Sequence, residues 1–101
     1  MQQEYQFMVD FTLPKVLSED FLQLIPHQRA KVNKLFRDGK LINYALSLDN
    51  KKIWATICAN SELDVLQLIS QLPLTRFMRY SISLLTFYSS VNSDAPVFSM
   101  N

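Results

Sequence analysis

Residues 41–48, LINYALSL, and 53–59, IWATICA, separated by Asp49, Asn50, Lys51 and Lys52, decide the fold. Both runs are rich in β-branched, aromatic and aliphatic side chains, and the polar residues between them suit a tight reversal. The stretch predicts an antiparallel hairpin. Its value lies in its position, because a helical pattern lies on each side of it and a single strand pattern beyond each helix.

Upstream, residues 18–38 carry Phe21, Ile25, Val32, Leu35 and Phe36 at helical spacing, and Gly39 stands where a helix often ends on a left-handed residue. Ser18 is suited to cap the first turn, where Glu19 and Asp20 meet the positive end of the helix dipole. Pro26 lacks an amide hydrogen and crowds the preceding turn, so a bent or split helix is expected near residues 22–26. Before it, Tyr5, Phe7, Val9, Phe11 and Leu13 alternate with Gln6, Met8, Asp10 and Thr12, a period of two that indicates a strand closed by Pro14.

Downstream, Ser61 and Asp64 resemble a capping box, and Leu63, Val65, Leu66, Leu68, Ile69 and Leu72 mark a broad apolar face. A second helix over 62–71, stopping before Pro73, is expected. Residues 78–88 alternate again, Tyr80, Ile82 and Leu84 against Arg79, Ser81 and Ser83, which predicts a fourth strand.

The order is therefore β-α-β-β-α-β. With right-handed crossovers it gives an α+β, ferredoxin-like fold, a four-stranded antiparallel sheet with two helices on one face. The other face is left open, with Gln6, Met8, Asp10, Thr12, Trp54, Thr56, Cys58, Arg79, Ser81, Ser83 and Leu85 as its expected residues. A half-apolar open face of this kind calls for a partner.

The chain has 101 residues, 19% of them charged, with a formal net charge of +1 and its basic residues scattered. One domain over residues 1–90 is expected, with a flexible polar tail over 91–101 that could dock on a partner subunit. Nothing in this charge pattern points to nucleic acid. No apolar run approaches the roughly 20 residues of a membrane span, and the N-terminus lacks the basic and apolar regions of a signal peptide, so a cytoplasmic location is expected. With one cysteine and one histidine, neither an intrachain disulfide nor a Cys/His metal cage can form.

From Tyr5 to Tyr88 the chain resembles the muconolactone isomerase family of dimeric α+β barrels. The residues that carry the resemblance are Leu13-Pro14, the helix end from Leu35 to Gly39, the hairpin from Leu41 to Ala59, and above all Gln71-Leu72-Pro73-Leu74 followed by Met78. The resemblance implies a homodimer, or a higher homo-oligomer, whose sheets pack face to face around a pocket. It also implies a cofactor-independent isomerase that moves a double bond in a small lactone by proton transfer, with a base, a proton donor and stabilisation of an enolate-like charge. The sequence departs from the family at Gln6 to Asp10 and Ile42 to Leu46, where the family's basic side chains are missing, so the family's own substrate is not carried over.

Two residue types can supply the proton chemistry. Asp10, mid-strand on the open face, is a candidate base, or else a structural carboxylate paired with Arg79. His27, the only histidine, is a candidate proton shuttle, or else a solvated helix residue beside Pro26. Arg29, Arg76 and Arg79 could bind an anionic substrate, and Trp54 and Tyr44 could wall a ligand pocket or fill a subunit interface. Cys58 reads as an inert half-buried thiol, and the lone Gly39 leaves no nucleophile-elbow pattern around Ser81 and Ser83. The second functional expectation is a non-catalytic small-molecule-binding or assembly module.

Overall fold

The computed structural model describes residues 4–89. Seven elements follow in order: β1 (Tyr5–Thr12), α1 (Glu19–Arg37), β2 (Leu41–Ser47), β3 (Lys52–Ala59), α2 (Glu62–Ser70), a single 3-10 turn (Thr75–Phe77) and β4 (Arg79–Leu84). The sheet is antiparallel throughout, in the order β2-β3-β1-β4. β1 is thus central and β2 and β4 are the edges.

The alternation of β1 fixes which face is covered. Phe7, Val9 and Phe11 are buried beneath the helices, and the register aligns Ala55 with Val9 and Ile57 with Phe7 on the same side. From above, α1 contributes Phe21, Val32 and Leu35 and α2 contributes Val65 and Ile69 to one continuous core. Burying each such aliphatic or aromatic side chain contributes about 1.5–3 kcal/mol. This core is the main reason the two helices sit where they do.

The helix ends are set by local chemistry. The Ser18 hydroxyl oxygen accepts from the Phe21 amide at 3.1 Å, and the Ser61 hydroxyl oxygen accepts from the Asp64 amide at 3.2 Å. At the far end of α1, the Gly39 amide donates to Phe36 and the Lys40 amide to Leu35, and Gly39 adopts φ +73°. That is the double hydrogen-bond pattern that closes a helix on a left-handed residue.

Two expectations change. α1 is not split, for it runs as one helix through Pro26, and the buried residues on either side, Phe21 and Gln28, anchor the turns that flank the missing amide hydrogen bond. β4, Arg79–Leu84, is shorter than the strand expected over 78–88. The Leu85 amide still reaches the Gln6 carbonyl at 2.8 Å, and the ladder then ends. The tail expected over 91–101 lies outside the described residues.

The β2–β3 register slips between Leu41 and Asn43, a bulge that sets Leu41 opposite Ile57 and Asn43 opposite Thr56. A one-residue slip exchanges the two faces of a strand. Beyond it, Tyr44 and Leu46 face the helices, and Asn43 and Ala45 face the open side.

Candidate functional site

Polar side chains gather on both sides of the sheet. On the open face, Asp10 lies opposite Trp54 on β3 and Ser81 on β4. The Trp54 indole donates to Asp10 Oδ2 at 3.3 Å. The Lys52 ammonium donates to Asp10 Oδ1 at 3.0 Å and to the Thr12 hydroxyl at 2.9 Å. The carboxylate is therefore held by two donors on one neighbouring strand. Lys52, read from the sequence as part of the turn, takes the structural role considered for Arg79, which lies one row along, opposite Thr12. The Lys52–Asp10 pair remains about a third exposed on each side chain, so it adds little to stability.

The same face is closed at one end. The segment after β4 carries Tyr88 to Asn43 on β2, whose amide donates to the Tyr88 hydroxyl at 3.1 Å. Thr56, in the row of Asn43, is fully buried, and its hydroxyl lies 3.8 Å from the Met8 sulfur. Cys58, farther along this face, is half-buried. Burial first, and then nearby Glu4, push its thiol above the ordinary range, which disfavours the nucleophilic thiolate.

On the helix side, α1 and β2 diverge to leave a cleft of about 390 Å³, floored by Phe21 and Ile53 and flanked at its mouth by Leu17, Phe36, Leu46 and Leu48. These four flanking residues are exposed, Leu46 at 56% and Leu48 at 68%. Gln28 is the buried polar residue of its wall. Its amide nitrogen donates to the Tyr44 hydroxyl at 3.0 Å, and its carboxamide oxygen accepts from the Leu74 amide at 3.0 Å. Burial pushes the Tyr44 phenol up, and the Gln28 hydrogen bond acts in the opposite sense. Arg29 and Asn33, one turn apart on α1, complete the polar part of the lining.

The residues singled out from the sequence are thus separated by the sheet. Asp10, Trp54 and Arg79 share the open face. Tyr44 and Arg29 belong to the cleft, Tyr44 because the bulge after Leu41 turned it to the helix side. His27 is exposed on α1, in a shallow groove with Lys31, Lys34 and Arg37, on the opposite side of the sheet from Asp10. Arg76 lies over the Phe77 ring, 4.8 Å from its centroid. Sequence reasoning missed Gln28, Lys52 and the Asn43–Tyr88 contact. The register would have revealed Lys52, since it lies opposite Thr12, but Gln28 left no periodic signal beyond its place between Ile25 and Val32 on the inward face of α1.

Among the described residues, no group of three or more His, Cys, Asp or Glu side chains could hold a metal ion, and no helix is long and apolar enough to cross a membrane.

A four-stranded antiparallel sheet covered on one face by two helices, in this order, is a ferredoxin-like α+β domain. More closely, the fold is that of muconolactone isomerase. The crystal structure of that enzyme matches with a TM-score of 0.69, covering 88% of this chain and 97% of that one at 22% identity. No protein-family model matches the sequence, and no curated protein matches it. The likeness is one of fold.

Proposed function

We propose that this chain is a small-molecule-binding protein built on the muconolactone isomerase-like fold, with the cleft between α1 and β2 as its ligand chamber. One observation carries the reading: a preformed apolar cleft of about 390 Å³ whose few polar groups converge along α1. Ligand sites are concave, mostly apolar and roughly 300–1,000 Å³ in volume, with a small number of placed polar groups. The test is titration of the labelled protein with a panel of small apolar acids and lactones, followed by amide chemical shifts. Shifts centred on Phe21, Tyr44 and Ile53 support the reading; a panel that moves none of them defeats it.

The open face belongs to the same proposal as a homodimer interface. Met8 and Trp54 are half-buried there with none of the described helices above them, and a partly apolar sheet face of this kind is a surface that association would cover. The free thiol of Cys58 suits a cytoplasmic protein.

A second reading, a cofactor-free isomerase acting on a small cyclic or lactone substrate, is favoured by the placement of Asp10. A carboxylate in the middle of a face that a second sheet would cover, hydrogen-bonded by Trp54 and Lys52, has the position of a base in an enclosed chamber, and Arg79, opposite Thr12 on the same face, adds a cation to it. His27 and Asp10 cannot serve one substrate within one chain, so any shuttle role of His27 belongs to the helix side. Incubation with unsaturated lactones, read by the position of the double bond, tests this; turnover that survives Asp10→Asn unchanged removes Asp10 from the chemistry.

A further inference from the structure

Resting on the cleft as the ligand chamber, we infer that its ligand is an amphipathic monocarboxylate: an apolar chain or ring system ending in one carboxylate, which Arg29 binds. Among the described residues, the cleft's lining contains a single charged side chain, Arg29, and no acidic one. Among the described residues the ion pairs are Lys34–Asp38, Lys40–Glu4 and Lys52–Asp10, so the Arg29 guanidinium has no carboxylate partner of its own. It stands on α1 with Asn33 one turn further along the same face, and a carboxylate held by the guanidinium fork can also take a hydrogen bond from the Asn33 amide.

Gln28 donates to the Tyr44 hydroxyl and accepts from the Leu74 amide, so its carboxamide is held by the fold. The Tyr44 hydroxyl accepts that bond and keeps its own proton as a neutral donor. The other side chains around it are mainly apolar: Leu17, Phe36, Leu46 and Leu48 at the mouth, with Phe21 and Ile53 beneath. Among the described residues, one cation and neutral donors in a mostly apolar chamber select a ligand with one anionic end. A second anionic group would have to be buried without a partner, at high cost.

The test uses calorimetric titration of the full chain with decanoate and, separately, with 1-decanol, below the concentrations at which either aggregates, backed by amide chemical shifts. Decanoate is expected to bind more tightly than the alcohol, with shifts centred on the α1–β2 cleft. Arg29→Gln is expected to weaken decanoate by about tenfold or more while leaving the alcohol unchanged, since a charge-assisted pair is lost and the apolar contacts are not. Lys31→Gln, on the outer face of the same helix, is expected to match the wild type. Equal affinity for the acid and the alcohol, or decanoate binding indifferent to Arg29→Gln, overturns the carboxylate assignment and leaves the chamber standing. Failure of both compounds to bind, together with dissociation of a dimer on Leu46→Ser, overturns the chamber as well and makes the cleft a contact between copies.

Discussion

Gln28 on α1 and Tyr44 on the edge strand β2 are joined by a 3.0 Å hydrogen bond, and the same carboxamide holds the Leu74 amide beyond α2. One buried side chain thereby ties together a helix, a strand and the loop that carries Leu72-Pro73-Leu74. Gln28→Leu keeps the volume and deletes both hydrogen bonds. Leaving the Leu74 amide buried without an acceptor is expected to cost about 1–3 kcal/mol, read as a lower urea midpoint. Tyr44→Phe removes only the hydroxyl and should cost less than Gln28→Leu. If Gln28→Leu is as stable as wild type, the Gln28 bonds are not what position this loop.

Backbone strain separates two turns. Gly39 at φ +73° ends α1, and Lys51 at φ +56° ends the β2–β3 turn. A methyl group built on Gly39 meets nothing within 4 Å, so Gly39→Ala is penalised through the backbone alone, by about 1–2 kcal/mol. Lys51→Gly relieves a strained residue and is expected to be neutral to stabilising by up to about 1 kcal/mol, the same substitution elsewhere in the turn being destabilising. Thermal melts of both variants check the pair, and a stabilised Gly39→Ala contradicts the left-handed helix end.

Alkaline pH should weaken the fold in two stages. Burial raises the Cys58 thiol above its ordinary value of 9.0 and the Tyr44 phenol above 10.0. The folded chain therefore keeps both protons at a pH where the unfolded chain has begun to release them. The stability each group contributes is fully present below its unfolded value and is lost as pH climbs through the folded one. Denaturation midpoints should be insensitive to these groups below pH 9 and fall above it. Cys58→Ala should remove the first stage and Tyr44→Phe the second; a variant whose alkaline limb overlays that of the wild type identifies some other group as the cause.

Trp54 is the sole tryptophan and sits half-buried at the centre of the open face, its indole on Asp10. If two sheets pair there, dilution through the dissociation range should shift its emission to longer wavelength in step with the fall in sedimentation coefficient. Asp10→Ala should change that assembly more than it changes the stability of the single chain, because the Lys52–Asp10 pair is part-solvated and worth about 1 kcal/mol or less. Emission that stays constant while the dimer dissociates places the interface elsewhere.

The element order was legible because most segments carried their own period, two in β1 and β4, close to four in α1 and α2, and because Ser18, Ser61, Gly39 and Pro14 marked ends by local chemistry. The contents of the open face followed from the same alternation. What was not legible depended on partners distant in sequence. Tyr44 was displaced to the helix side by a bulge that no residue of the run LINYALSL announces. Lys52 looked like turn filler until register set it beside Thr12. Gln28, polar on an inward helix face, makes sense only once Tyr44 and Leu74 are seen on either side of it. His27 and Asp10 are each plausible as proton carriers in the sequence, and only the intervening sheet shows that they do not meet.

The Asn43–Tyr88 contact has a mechanical meaning as well. β2 and β4 are the outermost strands of the sheet, and no main-chain hydrogen bond connects them. The hydroxyl of Tyr88 bridges residues 45 apart in sequence and laces one margin of the sheet to the other, like a batten nailed across planks. Without it, the exposed strand β4 has β1 as its only strand partner among the described residues and is the first element free to peel, so Tyr88→Phe should speed amide exchange in β4 before it touches the core.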